Sequence, residues 1–245
     1  MIPLKDKVAI VTGASRGIGR ATAITLARHG VRVACVGRDD NAAHEVVERI
    51  ASASGQAFSI HCDVRDEWSV KRTVEFVLEQ HGTVDIMINN AGVGIHGEVE
   101  DYTLNDWHTT IDTNLTSAFL FCRAVVPIMR ARKSGRIINV SSGAGRNGIA
   151  GYGAYCASKF GLIGFSESLA QEVRSDGILV SSVLPGSTDT QFGKRIPEDE
   201  NAERSERARL SPFEVAEAIA SLCESNPNAW ISELVIRPLV VKPKA

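Results

Sequence analysis

Tyr155 and Lys159 are the residues of this sequence whose types and spacing suit acid–base chemistry. On a helix, residues four apart share one face, so the phenol and the ammonium group would lie side by side. A free tyrosine has a pKa of about 10, and a neighbouring ammonium favours the phenolate and lowers that pKa. The pair therefore predicts a proton donor that works near neutral pH.

Tyr152 belongs to the same segment but lacks such a partner. Four residues after it stands Cys156, which carries no positive charge. An aromatic side chain in this setting is expected to pack against its neighbours or to form a wall of a substrate pocket.

A glycine cluster, TGASRGIG at 12–19, lies between a short apolar run and an amphipathic run. Glycine is required where a turn is tight and where the backbone approaches a phosphate closely. The helix that follows offers free N–H groups and a positive dipole end. The cluster therefore predicts a pyrophosphate-binding turn in a first βαβ unit.

Short apolar runs alternate along the chain with longer amphipathic runs, which predicts an α/β fold. Because the short runs are almost continuously apolar, they indicate strands of a parallel sheet buried on both faces. Strands are predicted at Val8–Val11, Val31–Val36, Ala57–His61, Ile86–Asn89, Arg136–Val140, Leu179–Leu184 and Leu234–Ile236. Helices are predicted near Gly17–His29, Asn41–Ala53, Glu67–His81, Thr113–Arg132, Tyr152–Ser175 and Pro212–Ser225. We expect a single domain over 1–245, with a doubly wound parallel sheet of about seven strands (a Rossmann fold) and helices on both faces.

The order of these motifs resembles the short-chain dehydrogenase/reductase family over about residues 5–192. The TGxxxGxG spacing at 12–19 is followed by Asp63 after the third strand and by Asn89–Gly92 (NNAG) after the fourth. Asn114, Ser142, Tyr155 and Lys159 match the active-site tetrad of the family, and Pro185–Gly186 follows the sixth strand.

The resemblance implies four catalytic residues. Tyr155 would transfer the proton, Ser142 would hydrogen-bond the substrate oxygen, and Asn114 would position a water near Lys159. For Asn114, the alternative is a helix cap, a role that asparagine performs well. The family register selects Ser142 rather than Ser141, which is expected to serve the structure.

The resemblance also implies a nicotinamide cofactor bound at the carboxyl ends of the strands. The expected cofactor-binding residues are Gly13, Ser15, Arg16, Gly17, Ile18, Gly19, Arg38, Asp63, Val64, Asn90, Ala91, Gly92, Tyr155, Lys159, Pro185, Gly186, Thr188 and Thr190. Lys159 would bond the nicotinamide ribose hydroxyls, and 185–190 would close over the carboxamide. The choice between NAD(H) and NADP(H) depends on the residues at the end of the second strand.

That strand ends at Gly37, where an NAD-binding site usually carries an acidic residue. Arg38 follows, and Arg16 lies in the glycine turn, so two guanidinium groups are available for a 2′-phosphate. These residues favour NADP(H). Asp39 and Asp40 come next and leave NAD(H) as the alternative, unless they cap the following helix.

The expected function is NADP(H)-dependent hydride transfer between the cofactor and a ketone or secondary alcohol, as in a carbonyl or 3-oxoacyl-type reductase. The alternatives are an NAD-dependent alcohol or sugar dehydrogenase and a non-catalytic NADP(H)-binding regulator. Carrier-protein reductases of the family tend to have a basic residue before the glycine near the site entrance. Asp176 stands there, before Gly177, which favours a general carbonyl substrate.

Composition excludes several other classes. The 245 residues carry a formal net charge of −2, which gives no case for nucleic acid or an anionic membrane. Five widely spaced cysteines indicate neither a disulfide framework nor a zinc site, so no metal is expected and a cytoplasmic location is favoured.

Within the single domain, we expect a cofactor-binding half over about 1–140 and a catalytic and substrate-binding half over about 141–245. The charged segment 193–209 is either a solvated stretch or a lid over the site. A homodimer through the helices 113–132 and 152–175 is expected, with a homotetramer as the alternative. The last strand, which often builds the tetramer in the family, departs here from the usual pattern.

Overall fold

The structure, a computed structural model, describes residues 2–190, 192, 209–226 and 228–239. In that part of the chain, the strands form one all-parallel sheet in the order β3-β2-β1-β4-β5-β6-β7. The predicted sheet of about seven strands is confirmed. Its strands are β1 Val8–Thr12, β2 Arg32–Gly37, β3 Gln56–His61, β4 Ile86–Asn89, β5 Gly135–Val140, β6 Ile178–Pro185 and β7 Glu233–Ile236.

Helices cover both faces of the sheet, as predicted. The helices are α1 Gly17–Arg28, α2 Asp40–Ser52, α3 Glu67–His81, α4 Leu104–Ile111, α5 Ser117–Arg132, α6 Gly153–Val173 and α7 Pro212–Glu224. One buried apolar cluster joins the sheet to α1, α2 and α7, and a second joins it to α3, α5 and α6. Successive residues of β1 contribute to opposite faces of the sheet, since Ala9 belongs to the first cluster and Ile10 to the second.

The short helix α4 was not predicted from the sequence. Its start has a recognisable signal, because the Thr103 side chain accepts a hydrogen bond from the Asp106 backbone N–H and the Asp106 carboxylate is also bonded to Thr103. The second bond of this box runs from the Thr103 N–H, which donates, to the Asp106 carboxylate, which accepts, and such a capping box precedes a helix. The helix is only two turns long, however, which leaves little periodicity to detect.

The chain reverses its direction across the sheet between β1 and β4. β1 pairs with β2 on one side and with β4 on the other, so the connections leaving these strands diverge to opposite faces. In doubly wound sheets, ligands bind in the crevice at this switch point, beyond the carboxyl ends of the strands. The Gly13–Gly19 turn and the Asn89–Gly92 segment both begin at that edge.

The charged segment expected as a lid, 193–209, lies outside the described residues except for Arg209. The Arg209 Nη1 atom lies 3.8 Å from an Asp189 carboxylate oxygen. Within the described ranges, no helix is long and apolar enough to cross a lipid bilayer.

Candidate functional site

Thr12, the last residue of β1, ties the glycine turn to the end of β4. Its hydroxyl accepts hydrogen bonds from the backbone N–H groups of Asn90 (2.9 Å) and Ala91 (3.0 Å). The Asn90 side chain donates in turn to the Thr12 carbonyl oxygen at 2.9 Å. These hydrogen bonds join the end of β1 to the segment that follows β4, at the switch point of the sheet.

The turn 13–19 has the shape of a backbone cradle. Gly13 and Gly17 adopt positive φ angles of 63° and 56°, which favour glycine. A Cβ atom at Gly19 would lie only 2.2 Å from the Gly13 carbonyl oxygen. Ser15 and Ile18, both half-buried, complete the turn. Because α1 begins at Gly17, its first N–H groups lack helical acceptors and lie at the end of the turn, which suits a pyrophosphate.

The end of β2 leaves room beside this cradle. No described atom lies within 4 Å of the position that a Cβ atom would take on Gly37. Arg38 follows and is exposed, as is Arg16 at the start of α1. The space and the two guanidinium groups fit a bound phosphate.

The carboxylates that follow Arg38 have other partners. Asp39 caps α2 by accepting a hydrogen bond from the Ala42 N–H at 3.1 Å. An Asp40 carboxylate oxygen lies 2.9 Å from His61 Nδ1. The helix-cap interpretation is therefore correct for Asp39, and the strand end itself carries Gly37, where an NAD-binding site usually has an acidic residue.

Asp63 is held by an arginine that the sequence analysis missed. Arg65 forms a two-pronged ion pair with it, with Nη2–Oδ2 at 2.6 Å and Nε–Oδ1 at 2.9 Å. The Arg65 hydrogen bond, with a smaller effect of the Arg38 charge, lowers the Asp63 pKa to about 2. The signal was an arginine two residues beyond Asp63, with only the buried Val64 between them. Asp63 is therefore an oriented, ionised acceptor beside the cradle.

Tyr155 and Ser142 are brought together by the structure. The Ser142 side chain lies near enough to the Tyr155 phenol to influence its pKa, and Ser142 accepts a hydrogen bond from the Ala144 N–H at 3.1 Å, which starts a 3-10 turn. Burial raises the pKa of Tyr155, and Ser142 offsets part of that rise. The net pKa of Tyr155 is therefore raised and not lowered as expected, because desolvation of the phenolate is the largest effect.

Lys159 lies one helical turn from Tyr155 on α6, as predicted. Its ammonium nitrogen is 5.8 Å from the centroid of the Tyr155 ring and donates to the Val140 carbonyl oxygen at 2.8 Å. The side chain is only 4% exposed. Burial lowers the pKa of Lys159 to about 8.

Asn114 lies in a π-helical turn, Asp112–Thr116, between α4 and α5. The helix-cap alternative is therefore wrong, because helical structure continues on both sides. The side-chain oxygen of Asn114 accepts from the Val93 N–H at 2.8 Å, and its nitrogen donates to the Val93 carbonyl at 2.9 Å. A Cβ atom on Gly92 would lie 3.4 Å from Asn114 Oδ1 and 3.7 Å from Lys159 Nζ, so both side chains border one small space.

Ser141 serves the structure, as expected. Its hydroxyl is buried and donates to the backbone carbonyl of Lys159 at 3.1 Å, which ties the end of β5 to α6.

The segment 185–190 runs from β6 back to the glycine turn. The Gly186 N–H donates to the Ile236 carbonyl at 2.7 Å, and the Thr188 hydroxyl donates to the Gly186 carbonyl at 3.0 Å. Thr190 reaches Gly17, where a Cβ atom would lie 3.3 Å from the threonine methyl carbon. Pro185–Thr190 thus borders the cradle that the glycines form.

Asp176 lies at the opposite edge of the sheet. It precedes the amino end of β6, whereas the site is at the carboxyl ends of the strands. Its carboxylate pairs with Arg130 Nε at 2.8 Å and Lys133 Nζ at 2.6 Å, and these bonds lower the Asp176 pKa. Within one chain, Asp176 therefore does not lie near the site entrance, and the prediction that placed it there is wrong.

In the part of the chain that the structure describes, no group of three or more His, Cys, Asp or Glu side chains could hold a metal ion.

Comparison with known proteins agrees with this arrangement. Residues 7–201 match the family described as short chain dehydrogenase. The chain is 37% identical over 234 residues to a 3-oxoacyl-[acyl-carrier-protein] reductase of Synechocystis, covering 95% of each chain. It is 38% identical to the Escherichia coli 3-oxoacyl-[acyl-carrier-protein] reductase, covering 93% of each. A metagenomic short-chain oxidoreductase in complex with NADP superposes with a TM-score of 0.86 at 36% identity, covering 98% of this chain and 100% of that chain. This chain belongs to the short-chain dehydrogenase family of oxidoreductases, which act on CH–OH and C=O groups.

Proposed function

We propose that this protein is an NADP(H)-dependent reductase that converts a ketone to a secondary alcohol. The observation that carries the proposal is the cluster formed by the Tyr155 and Ser142 hydroxyls and the buried Lys159 ammonium, next to the glycine cradle. A proton donor, an oxygen-binding hydroxyl and a cation lie where a cofactor and a carbonyl would meet.

The nicotinamide, when bound, supplies a hydride to the carbonyl carbon. Tyr155 gives its proton to the carbonyl oxygen, and Ser142 donates a hydrogen bond to the same oxygen as negative charge develops. The product is the alcohol, which has gained one hydride and one proton. Lys159 stabilises the tyrosinate that remains, because its positive charge lies beside the Tyr155 ring.

Asn114 acts by position in this scheme. Its amide fixes the backbone at Val93 and donates to the Ser158 hydroxyl at 2.9 Å, directly before Lys159 in the chain. We propose that a water in the space between Asn114 and Lys159 returns a proton to Lys159 and from there to Tyr155.

The cofactor would lie along the edge built by the glycine turn. The turn Gly13–Gly19 binds the pyrophosphate, while Arg16 and Arg38 bind the 2′-phosphate of NADP(H). Asp63 accepts from the adenine, with Val64 packing beside it. Asn90, Ala91 and Gly92 line the ribose side, Lys159 bonds the nicotinamide ribose, and Pro185, Gly186, Thr188 and Thr190 cover the carboxamide. The NADP in the complex of the metagenomic relative supports this preference.

The substrate is proposed to be a small carbonyl compound. The curated relatives named above reduce 3-oxoacyl groups on a carrier protein, so a 3-oxoacyl thioester stays among the candidates. Arg130 and Lys133 pair with the single carboxylate of Asp176 at the opposite edge of the sheet, so these ion pairs do not separate a carrier-bound substrate from a free one.

Two alternatives remain to be separated by experiment. An NAD-dependent alcohol or sugar dehydrogenase would show preference for NAD⁺, which the surroundings of Gly37 and Arg38 disfavour. A non-catalytic NADP(H)-binding regulator would have no need for the intact group of Asn114, Ser142, Tyr155 and Lys159.

The assembly is proposed as a homodimer in which single-domain chains meet through α5 and α6. Phe119 on α5 and Phe160 on α6 are 42% and 46% exposed, which leaves apolar surface on both helices. Sedimentation of the purified chain tests this proposal, and a monomer would contradict it.

The test of the function is oxidation of NADPH and NADH by the purified protein with a panel of ketones, acetoacetyl thioester and sugars. NADPH-dependent turnover that collapses in Tyr155→Phe supports the reductase. A preference for NAD⁺ with alcohols would favour the dehydrogenase. Tight NADPH binding without turnover of any compound would favour the regulator.

A further inference from the structure

Two aromatic rings, those of Phe192 and Tyr152, lie next to the ring of Tyr155, and a third ring, that of His96, lies next to Tyr152. The Phe192 ring centroid is 5.4 Å from that of Tyr155, with a tilt of 48°. The Tyr152 ring lies 6.2 Å from Tyr155 on another side and meets His96 at 5.2 Å. Rings at these distances and angles form a continuous aromatic wall beside the Tyr155 ring.

Gly94 makes this wall possible. A Cβ atom at Gly94 would lie 3.0 Å from two carbons of the Phe192 ring and 3.6 Å from a carbon of the Tyr152 ring. The Cβ atom of any other residue at 94 would thus lie closer to the Phe192 ring than Cβ atoms usually approach their neighbours. The absence of a side chain at 94 therefore lets Phe192 approach Tyr155.

The loop that carries Gly94 and His96 is fixed on two sides. The Gly97 N–H donates to the Gly151 carbonyl at 2.9 Å, and the Tyr102 hydroxyl donates to the Ile95 carbonyl. Because Gly151 directly precedes Tyr152, the first bond joins the loop to the segment that bears the second ring. Rings held in this way present a preformed surface, which lowers the entropy cost of binding a flat ligand.

The charge on the same loop is entirely negative. Glu98, Glu100 and Asp101 lie within five residues after His96 and are exposed. No lysine or arginine occurs between 93 and 122. A carboxylate or phosphate near this loop would meet repulsion, whereas an uncharged ligand would not.

We propose that the substrates are uncharged ketones with an aromatic or alicyclic ring next to the carbonyl, and that Phe192 and Gly94 determine this preference. The inference rests on the proposed function, because it assigns the wall to the site in which Tyr155 donates the proton. The ring of the substrate packs against Phe192 and Tyr152, and its carbonyl oxygen reaches Tyr155 and Ser142.

The test measures kcat/KM with NADPH for acetophenone, 2-butanone and 4-carboxyacetophenone. Acetophenone is expected to exceed both others by roughly tenfold or more, because the other two lose ring packing or place a carboxylate near the acidic loop. Phe192→Ala and Gly94→Val should each reduce the ratio of acetophenone to 2-butanone by roughly tenfold. Phe76→Ala is the matched control, since Phe76 is similarly exposed (43%) but packs on Phe58 at the far edge of the sheet.

The outcomes separate the two proposals. Turnover in which Phe192→Ala and Gly94→Val leave the ratio unchanged overturns the inference and leaves the reductase standing. Equal or better turnover of 4-carboxyacetophenone or 2-butanone by the unaltered protein does the same. If no panel ketone or thioester is reduced while NADPH binds, the proposed function fails, and the inference fails with it. Thermal unfolding of Gly94→Val shows whether a loss of activity reflects a loss of folding, in which case Phe192→Ala decides.

Discussion

The ammonium nitrogen of Lys159 lies 2.8 Å from the carbonyl oxygen of Val140, the last residue of β5. A single hydrogen bond thus fixes the cation of α6 to the carboxyl edge of the sheet. Burial disfavours the protonated amine of Lys159 and lowers its pKa to about 8, so this position is unfavourable for the charge. A group that is unfavourable for folding but well placed for chemistry is typical of a functional site.

Replacing Lys159 by methionine should therefore stabilise the protein while abolishing reduction. Below about pH 8, burial of the ammonium costs about 3 kcal/mol, and loss of the bond to Val140 offsets about 1 kcal/mol of the gain. Urea unfolding at pH 7 should show a free energy of unfolding higher by about 2 kcal/mol.

The effect of Lys159 on the free energy of unfolding depends on pH. Between about pH 8 and pH 10.5 the unfolded chain binds more protons at Lys159 than the folded chain, so the unaltered protein gains stability as pH rises. The advantage of Lys159→Met should accordingly disappear by about pH 10. Lys71→Met, at an exposed lysine paired with Glu75, serves as control and should change stability by less than about 0.5 kcal/mol. A destabilised Lys159→Met at pH 7 would contradict the prediction.

Tyr155→Phe should remove the proton donor and keep the ring that packs against Phe192. We expect kcat to fall by roughly 10²–10⁴-fold, the range of general acid catalysis. NADPH binding, followed by fluorescence titration, should weaken by no more than roughly tenfold, because at most one hydrogen bond is lost. A variant with near-normal kcat would show that Tyr155 is not the donor.

Gly37→Asp should shift the cofactor preference from NADPH towards NADH. The space beside Gly37 is open, so the side chain fits without steric strain, and its carboxylate would repel a 2′-phosphate and accept bonds from ribose hydroxyls. The ratio of the two dissociation constants should change by roughly 10–100-fold in favour of NADH. Gly37→Ala adds the same Cβ atom without charge and should leave the ratio within a few-fold. An equal effect of both substitutions would point to crowding rather than charge.

Gly19→Ala should disrupt the phosphate turn. The new methyl group would lie 2.2 Å from the Gly13 carbonyl and 2.4 Å from the Asn90 amide nitrogen, so the backbone must move. A loss of about 3 kcal/mol in the free energy of unfolding is expected, with weaker NADPH binding.

Gly164→Ala provides the opposite case for comparison with Gly19→Ala. Gly164 lies inside α6 one turn after Phe160, is exposed in the single chain, and has no described atom of that chain within 4 Å of the position of a Cβ atom, so the comparison applies to the monomer. Alanine is favoured over glycine in a helix interior, so a gain of up to about 1 kcal/mol is expected. Chemical denaturation of the two variants should therefore move in opposite directions, and parallel losses would refute the steric explanation.

The sequence by itself determined the architecture, because the local patterns that encode it are strong. Seven apolar runs and six amphipathic ones were enough to predict the parallel sheet and its helices. The helix spacing of Tyr155 and Lys159 predicted their shared face, and glycine requirements marked the phosphate turn. The short α4 was missed because two turns carry little periodicity, even with a capping box.

Tertiary structure alone decided the environment of those residues. Burial of Tyr155 raises its pKa, against the expectation from its neighbour Lys159, since desolvation depends on every element that packs around the phenol. The partner of Asp63 and the ring of Phe192 beside Tyr155 were equally hidden from the sequence pattern. Periodicity is a property of neighbouring residues, whereas distances, burial and charge at a site depend on segments that meet only when the chain is folded.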